Sequence, residues 1–185
     1  MYLISLYFDA HASGILQSYI DKIAKKTGNT FMTENRVPPH MTLSSIEARN
    51  PEVLLPAFHD LADSVTSGRI QVVSVGQLFP YVLYGTPVLN QYLLELSEKA
   101  YAAFSQIPET RISRYYRPLS WLPHITLGKT LEKEQMLQAF QVVQNSFQPF
   151  TATVTKIGLA RVNPHEDLAV KILHSEEKRN IREEL

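Results

Sequence analysis

Pro39-His40-Met41-Thr42-Leu43 returns as Pro123-His124-Ile125-Thr126-Leu127, four identical residues and an apolar fifth. The two histidines are 84 positions apart. In a strand, residues i and i+2 project to one face and their neighbours to the other. His40 and Thr42 therefore share a face, as do His124 and Thr126. Met41, Leu43, Ile125 and Leu127 turn the opposite way, into apolar packing. In a helix the same spacing would splay each His–Thr pair apart. A proline before each histidine suits the first position of a strand, where no ladder hydrogen bond is lost. One His-x-Thr on a strand is most simply a satisfied polar pair. Two near-identical copies are different. A repeated core tolerates apolar exchange, as between Met41 and Ile125, and does not require the same histidine and threonine twice. The pattern predicts two short strands, each presenting a polar pair for chemistry.

Outward from the motifs, strand-like and helix-like segments alternate. Residues 2–8 are rich in Tyr, Ile and Leu and predict a buried strand. Ile15, Leu16, Tyr19, Ile20 and Ile23 give helical spacing over 13–26, ended by Gly28-Asn29. The first motif lies in a strand over 40–46. Pro51 opens a helix over 51–66. Residues 69–78 and 81–85 form a hairpin across Pro80, and a helix follows over 88–105. A strand over 124–130 carries the second motif, and a helix over 133–146 comes next. Strands 150–161 and 167–173 are joined by the turn Asn163-Pro164-His165-Glu166. No stretch is rich enough in Pro, Gly or Ser to divide the chain. Residues 1–173 are therefore read as a single domain, and 174–185 as a charged, solvated tail.

The composition narrows the function. With 185 residues and 44% apolar content, the chain can bury a substantial core. Eighteen Lys plus Arg balance eighteen Asp plus Glu, giving zero formal net charge. This argues against a broad cationic surface for long nucleic acid, but not against one anion held in a local pocket. With no cysteine, the chain has no disulfide, thiolate metal site or cysteine nucleophile. The N-terminal apolar run is short, lacks a basic residue and stops at Asp9, so a strand is expected there rather than a secretory leader. No window reaches about 18 apolar residues. Cytoplasmic localisation is the default expectation. The seven glycines form neither a G-x-G-x-x-G nor a Walker loop, so no nucleoside triphosphate cofactor is implied.

His40-Met41-Thr42-Leu43 and His124-Ile125-Thr126-Leu127 together resemble the paired signature of the 2H phosphoesterase superfamily. That family includes the bacterial 2′-5′ RNA ligases, which also act as cyclic phosphodiesterases. The resemblance covers residues 1–173. It implies an α+β fold of two pseudo-symmetric lobes, each an antiparallel sheet flanked by helices, with the motifs on facing strands across a central cleft. The implied activity is metal-independent hydrolysis of a 2′,3′-cyclic phosphate or a 2′-5′ phosphodiester, with RNA ligation as the reverse reaction. The implied partner is an RNA end or small nucleotide; no membrane partner is expected, and the chain is read as a monomer.

The residue types suit this chemistry. Histidine is the side chain that titrates near neutrality. Hydrolysis needs a base to take a proton from water and an acid to protonate the leaving ribose oxygen. His40 and His124 are the catalytic pair, with the base left unassigned. Thr42 and Thr126 hydroxyls can donate to the phosphate oxygens. No metal or cofactor is expected, since each motif offers one histidine without a neighbouring ligand set. Further substrate-binding candidates are Arg36, Lys129, Arg114, Tyr115, Tyr116 and Arg117. Arginines would grip phosphate and tyrosines would stack a base. Strict alternation turns Lys129 to the core side, unless Gly128 hosts a bulge. Trp121 and Tyr84 are read chiefly as packing aromatics. His11, His59, His165 and His174 have no repeated context and are read as structural or surface residues. The alternative function is a non-catalytic nucleotide- or RNA-binding module on the same fold. A third reading is a small-molecule cyclic phosphodiesterase, for example acting on an ADP-ribose cyclic phosphate.

Overall fold

The computed structural model describes residues 1–162 and 164–175; the charged segment beyond 175 lies outside the described residues. Two stretches follow the same path. In the first, strand β1 (Tyr2–Phe8) leads through helix α1 (Ala10–Thr27) and the short helix α2 (Phe31–Glu34) to β2 (His40–Glu47). A 3-10 turn (Pro51–Leu54), helix α3 (Leu55–Ser64) and strand β3 (Gly68–Leu78) then connect to the second. There, β4 (Val82–Pro87) leads through α4 (Gln91–Ser105), the two-residue strand β5 (Arg111–Ile112) and a 3-10 turn (Arg114–Tyr116) to β6 (Ile125–Gly128). Helix α5 (Lys133–Gln144) and the hairpin β7 (Phe150–Arg161) and β8 (Glu166–Ile172) complete the described elements.

Local chemistry sets these boundaries. The Asp9 carboxylate accepts from the Ala12 amide at 2.9 Å and starts α1. Gly28 ends the helix in the left-handed region at φ 70°, its amide bonded to the Ala24 carbonyl. Asn90 caps α4 by accepting from the Leu93 amide at 3.0 Å. Glu132 and Gln135 form a reciprocal capping box at α5. The segment predicted as one helix over 51–66 divides into the 3-10 turn and α3, with a proline at the start of each.

All strand pairings are antiparallel, and the strands form one sheet in the order β1-β2-β6-β4-β3-β7-β8. Strand β7 also bonds to β1, so the path β1-β2-β6-β4-β3-β7 returns on itself. The two halves are thus hydrogen-bonded together. The motif strands β2 and β6 lie side by side, joined at the pair Met41–Ile125. Helix α1 packs on β6 and α5, while α4 packs on β2 and α3, so each half's crossover helix reaches the other half's motif strand. Met41, Leu43, Ile125 and Leu127 are buried in one continuous apolar core. Each fully buried aliphatic side chain stabilises the fold by about 1.5–3 kcal/mol before entropy is counted. The strand anchors opposite the two His–Thr pairs are therefore rigid.

Candidate active site

A cleft of about 250 Å³ opens over the junction of β2 and β6. Both motif pairs line it: His40 with Thr42, and His124 with Thr126. The antiparallel pairing of Met41 with Ile125 sets the two motifs against each other, running in opposite directions.

The two histidines are anchored in the same way. His40 Nδ1–H donates to the Pro38 carbonyl at 2.8 Å, and His124 Nδ1–H donates to the Leu122 carbonyl at 2.9 Å. A carbonyl can only accept, so each Nδ1 carries the proton and each neutral ring keeps a basic Nε2 for the cleft. The acceptor is two residues back in both copies, just before the shared proline. The proline therefore belongs to the site as well as to the strand start. Burial pushes the His40 pKa down to about 4, helped by the nearby charges of His165 and His124 and opposed by the Pro38 bond. Burial also lowers His124, opposed by its bond to Leu122.

A tyrosine backs each histidine. Tyr84 on β4 meets His124 edge-on, with ring centroids 5.5 Å apart. Tyr7 on β1 lies 6.5 Å from His40. Each tyrosine ring lies over a glycine one strand further out. A Cβ on Gly76 would come within 2.5 Å of Tyr84, and one on Gly158 within 2.7 Å of Tyr7. The arrangement histidine, tyrosine, glycine across three adjacent strands thus occurs twice. No short sequence motif announces it, because its members are far apart in the chain.

Among the secondary candidates, Lys129 and Tyr116 line the cleft. In the β4–β6 pairing, Leu83 faces Gly128 while Tyr84 faces Thr126, so Leu127 is an extra residue on β6. This bulge breaks the alternation and brings Lys129 to the cleft side, where its Nζ sits 5.5 Å from the Phe31 ring centroid. Gly128 has a packing reason of its own, since a Cβ there would meet Leu131 at 2.8 Å. Burial pushes the Tyr116 hydroxyl pKa up, against a hydrogen bond with the Thr42 side chain. Arg36, Arg114, Tyr115 and Arg117 are exposed and do not line the cleft. Arg114 instead stacks on Tyr115 and donates to its hydroxyl at 2.8 Å. Trp121 is buried and donates through Nε1 to the Thr42 carbonyl at 3.0 Å, fastening the segment before the second motif to the first.

One histidine differs from its sequence reading. His165 has no repeated context and sits in a turn, yet the β7–β8 turn brings it into the cleft lining beside His40. Among the described residues, no group of three or more His, Asp or Glu side chains is arranged to hold a metal ion, and no helix is long and apolar enough to cross a membrane.

Comparisons with known proteins agree with this architecture. Among solved structures, TT0787 of Thermus thermophilus matches with a TM-score of 0.61 at 16% identity, covering 95% of this chain and 98% of that one. Escherichia coli LigT complexed with NADP+ matches with a TM-score of 0.59 at 18% identity, covering 94% and 97%. LigT complexed with 3′-AMP matches with a TM-score of 0.58 at 15% identity, covering 93% and 97%. At these identities the likeness establishes the fold. A search of curated protein sequences finds no match. The profile of the 2′-5′ RNA ligase superfamily matches residues 16–166, a span that contains both His-x-Thr motifs. The chain belongs to the 2′-5′ RNA ligase superfamily, within the 2H phosphoesterases.

Proposed function

We propose that the protein is a metal-independent phosphodiesterase that opens a 2′,3′-cyclic phosphate, or cleaves a 2′-5′ linkage, on an RNA end or small nucleotide. The observation that carries this reading is the matched anchoring of two histidines on adjacent strands, each with Nδ1–H tied to a backbone carbonyl. Two imidazoles with Nε2 available to one cleft suit in-line displacement at phosphorus, where attacking and leaving oxygens lie on opposite sides. One neutral ring takes the proton of the attacking water, and one protonated ring gives its proton to the leaving ribose oxygen. Each transfer contributes about 10²–10⁴-fold. Thr42 and Thr126 hold the non-bridging oxygens by donating their hydroxyl protons.

The stronger depression of His40, to about 4, suits it to the base in hydrolysis. It is neutral at pH 7 and ready to accept. His124, lowered by burial alone, suits the acid once a phosphodiester anion enters and favours the protonated ring. Ligation would exchange the roles. The cleft size suits the sugar–phosphate end of a nucleotide. The nucleotides NADP+ and 3′-AMP, present in the LigT structures, support a nucleotide ligand here.

The test is a panel of 2′,3′-cyclic nucleotides, cyclic-phosphate oligonucleotides and 2′-5′ dinucleotides, each with and without EDTA. Turnover of at least one, unchanged by EDTA, is expected. Binding without turnover of any member would instead favour a nucleotide-binding module.

A further inference from the structure

His165 is a histidine of the cleft that the duplicated motif does not account for. Its side chain is 9% exposed, yet it lines the same cleft as His40 and His124. Its ring centroid lies 5.9 Å from that of His40. Two further groups fix its orientation. Nε2–H lies 3.2 Å from an Asp167 carboxylate oxygen and 3.3 Å from the Tyr7 hydroxyl oxygen. Tyr7 in turn donates its own O–H to the same Asp167 oxygen. Burial alone would raise the Asp167 pKa, but the hydrogen bonds from His165 and Tyr7 and the nearby histidine charges outweigh it and keep the carboxylate ionised. The His165 amide reaches the Asn35 carbonyl at 3.4 Å, which docks the turn on the segment before β2.

With Nε2 committed to Asp167 and Tyr7, Nδ1 on the other side of the ring has no hydrogen-bond partner among the described residues. A carboxylate holding one nitrogen and leaving the other for a ligand is the arrangement that sets imidazole orientation in many sites. Two rings about 6 Å apart can share one tetrahedral anion, since hydrogen bonds of about 2.8 Å from each reach a common oxygen or adjacent oxygens. His40 from β2 faces that space, while Tyr7 from β1 and Asp167 from β8 hold the Nε2 side of the His165 ring. Lys129 lines the same cleft beside Phe31.

We propose that His165 is a third functional histidine, held through Nε2 by Asp167 and Tyr7, whose Nδ1 binds a phosphate oxygen of the substrate on the His40 side. The proposal rests on the phosphodiesterase reading of the cleft. It makes His165 a binding group and Asp167 and Tyr7 positioning residues. Bound phosphate on one side and carboxylate on the other would together hold an imidazolium between them.

The test uses the full chain with adenosine 3′-monophosphate and inorganic phosphate as probes, measured by calorimetry, and 2′,3′-cyclic AMP for turnover. H165Q is expected to weaken adenosine 3′-monophosphate binding and raise KM about tenfold, with kcat within about threefold, since the contact is present in ground and transition states alike. Asp167→Asn should show the same split more weakly, and adding it to H165Q should change nothing further. In the unmodified protein, the His165 imidazole resonance should shift on titration with inorganic phosphate. A role confined to holding the hairpin would lower Tm and leave both Kd and KM within twofold, which would overturn the proposal, as would a wild-type protein that binds neither probe. A protein that binds adenosine 3′-monophosphate through His165 but turns over no cyclic nucleotide would sustain the proposal and sink the phosphodiesterase reading.

Discussion

The His40 half and the His124 half share a scaffold and differ in surroundings. Both anchor Nδ1 to the carbonyl two residues back, and both place a tyrosine beside the histidine and a glycine beneath the tyrosine. Around His40, however, the β7–β8 hairpin adds His165 and Asp167. Around His124, the aromatic neighbour is Tyr84, while the bulge at Leu127 brings Lys129 to the shared cleft beside Phe31. The two halves thus present two histidines anchored alike, and the hairpin gives only His40 a neighbouring histidine and carboxylate. An acid and a base must differ in protonation at the same pH. In the proposed mechanism the symmetric part would supply position, and the deeper burial of His40 would supply that difference.

The largest effects should fall on what the halves share. His40→Ala and His124→Ala are each expected to slow hydrolysis of 2′,3′-cyclic AMP at least about 10²-fold. Next come the threonines. T42V and T126V should each cost about 10–100-fold in kcat, from loss of a donor to the developing charge. T42V should also destabilise the fold more, because Thr42 is buried whereas Thr126 is half-buried. Denaturant midpoints alongside rates would separate the two effects.

A smaller pair of changes tests the tyrosine supports. Gly76→Ala and Gly158→Ala each push a methyl into the ring that backs a histidine, and overpacking of this kind costs about 1–3 kcal/mol. If the halves are mechanically equivalent, the two variants should lose stability alike. Gly158→Ala should additionally weaken phosphate binding, because Tyr7 also contacts His165 and Asp167.

The smallest expected effect is on stability against pH. His40 has a folded pKa depressed to about 4, against about 6.5 in the unfolded chain. Between those values the unfolded state binds the proton and the folded state does not, so stability falls as pH drops from about 6.5 towards about 4. Because the ring is only half-buried, the loss should be on the order of 1 kcal/mol. H40Q should flatten that slope in urea titrations, and an unchanged slope would contradict the depressed pKa.

Legibility in the sequence followed the range of the interaction. The His–Thr pairs and their apolar anchors could be read directly, since strand alternation acts over two residues. Most helices and strands could be read too, because Gly28 and Pro51 punctuate the chain locally; Asn163 of the predicted turn lies outside the described residues. The short α2, β5 and the 3-10 turn at Arg114–Tyr116 escaped notice because two to four residues carry no period. Lys129 depended on a bulge whose register is set by β4, more than forty residues earlier in the chain. His165 could not be linked to His40 because their proximity arises only where β7 bonds to β1 and carries the β7–β8 turn to that side. For Arg114 and Tyr115 the sequence left a ligand grip and a solvated loop open, and on the surface the two side chains bond to each other.

If His40 and His124 act as one acid–base unit, neither works without the other. Single-turnover hydrolysis of 2′,3′-cyclic AMP by H40A, H124A and the double variant measures that coupling. Each single variant should lose at least about 10²-fold, and the double variant should be scarcely slower than the slower single, as groups acting in one step are non-additive. Near-wild-type turnover in either single variant, or two losses that multiply as independent contributions, would contradict it.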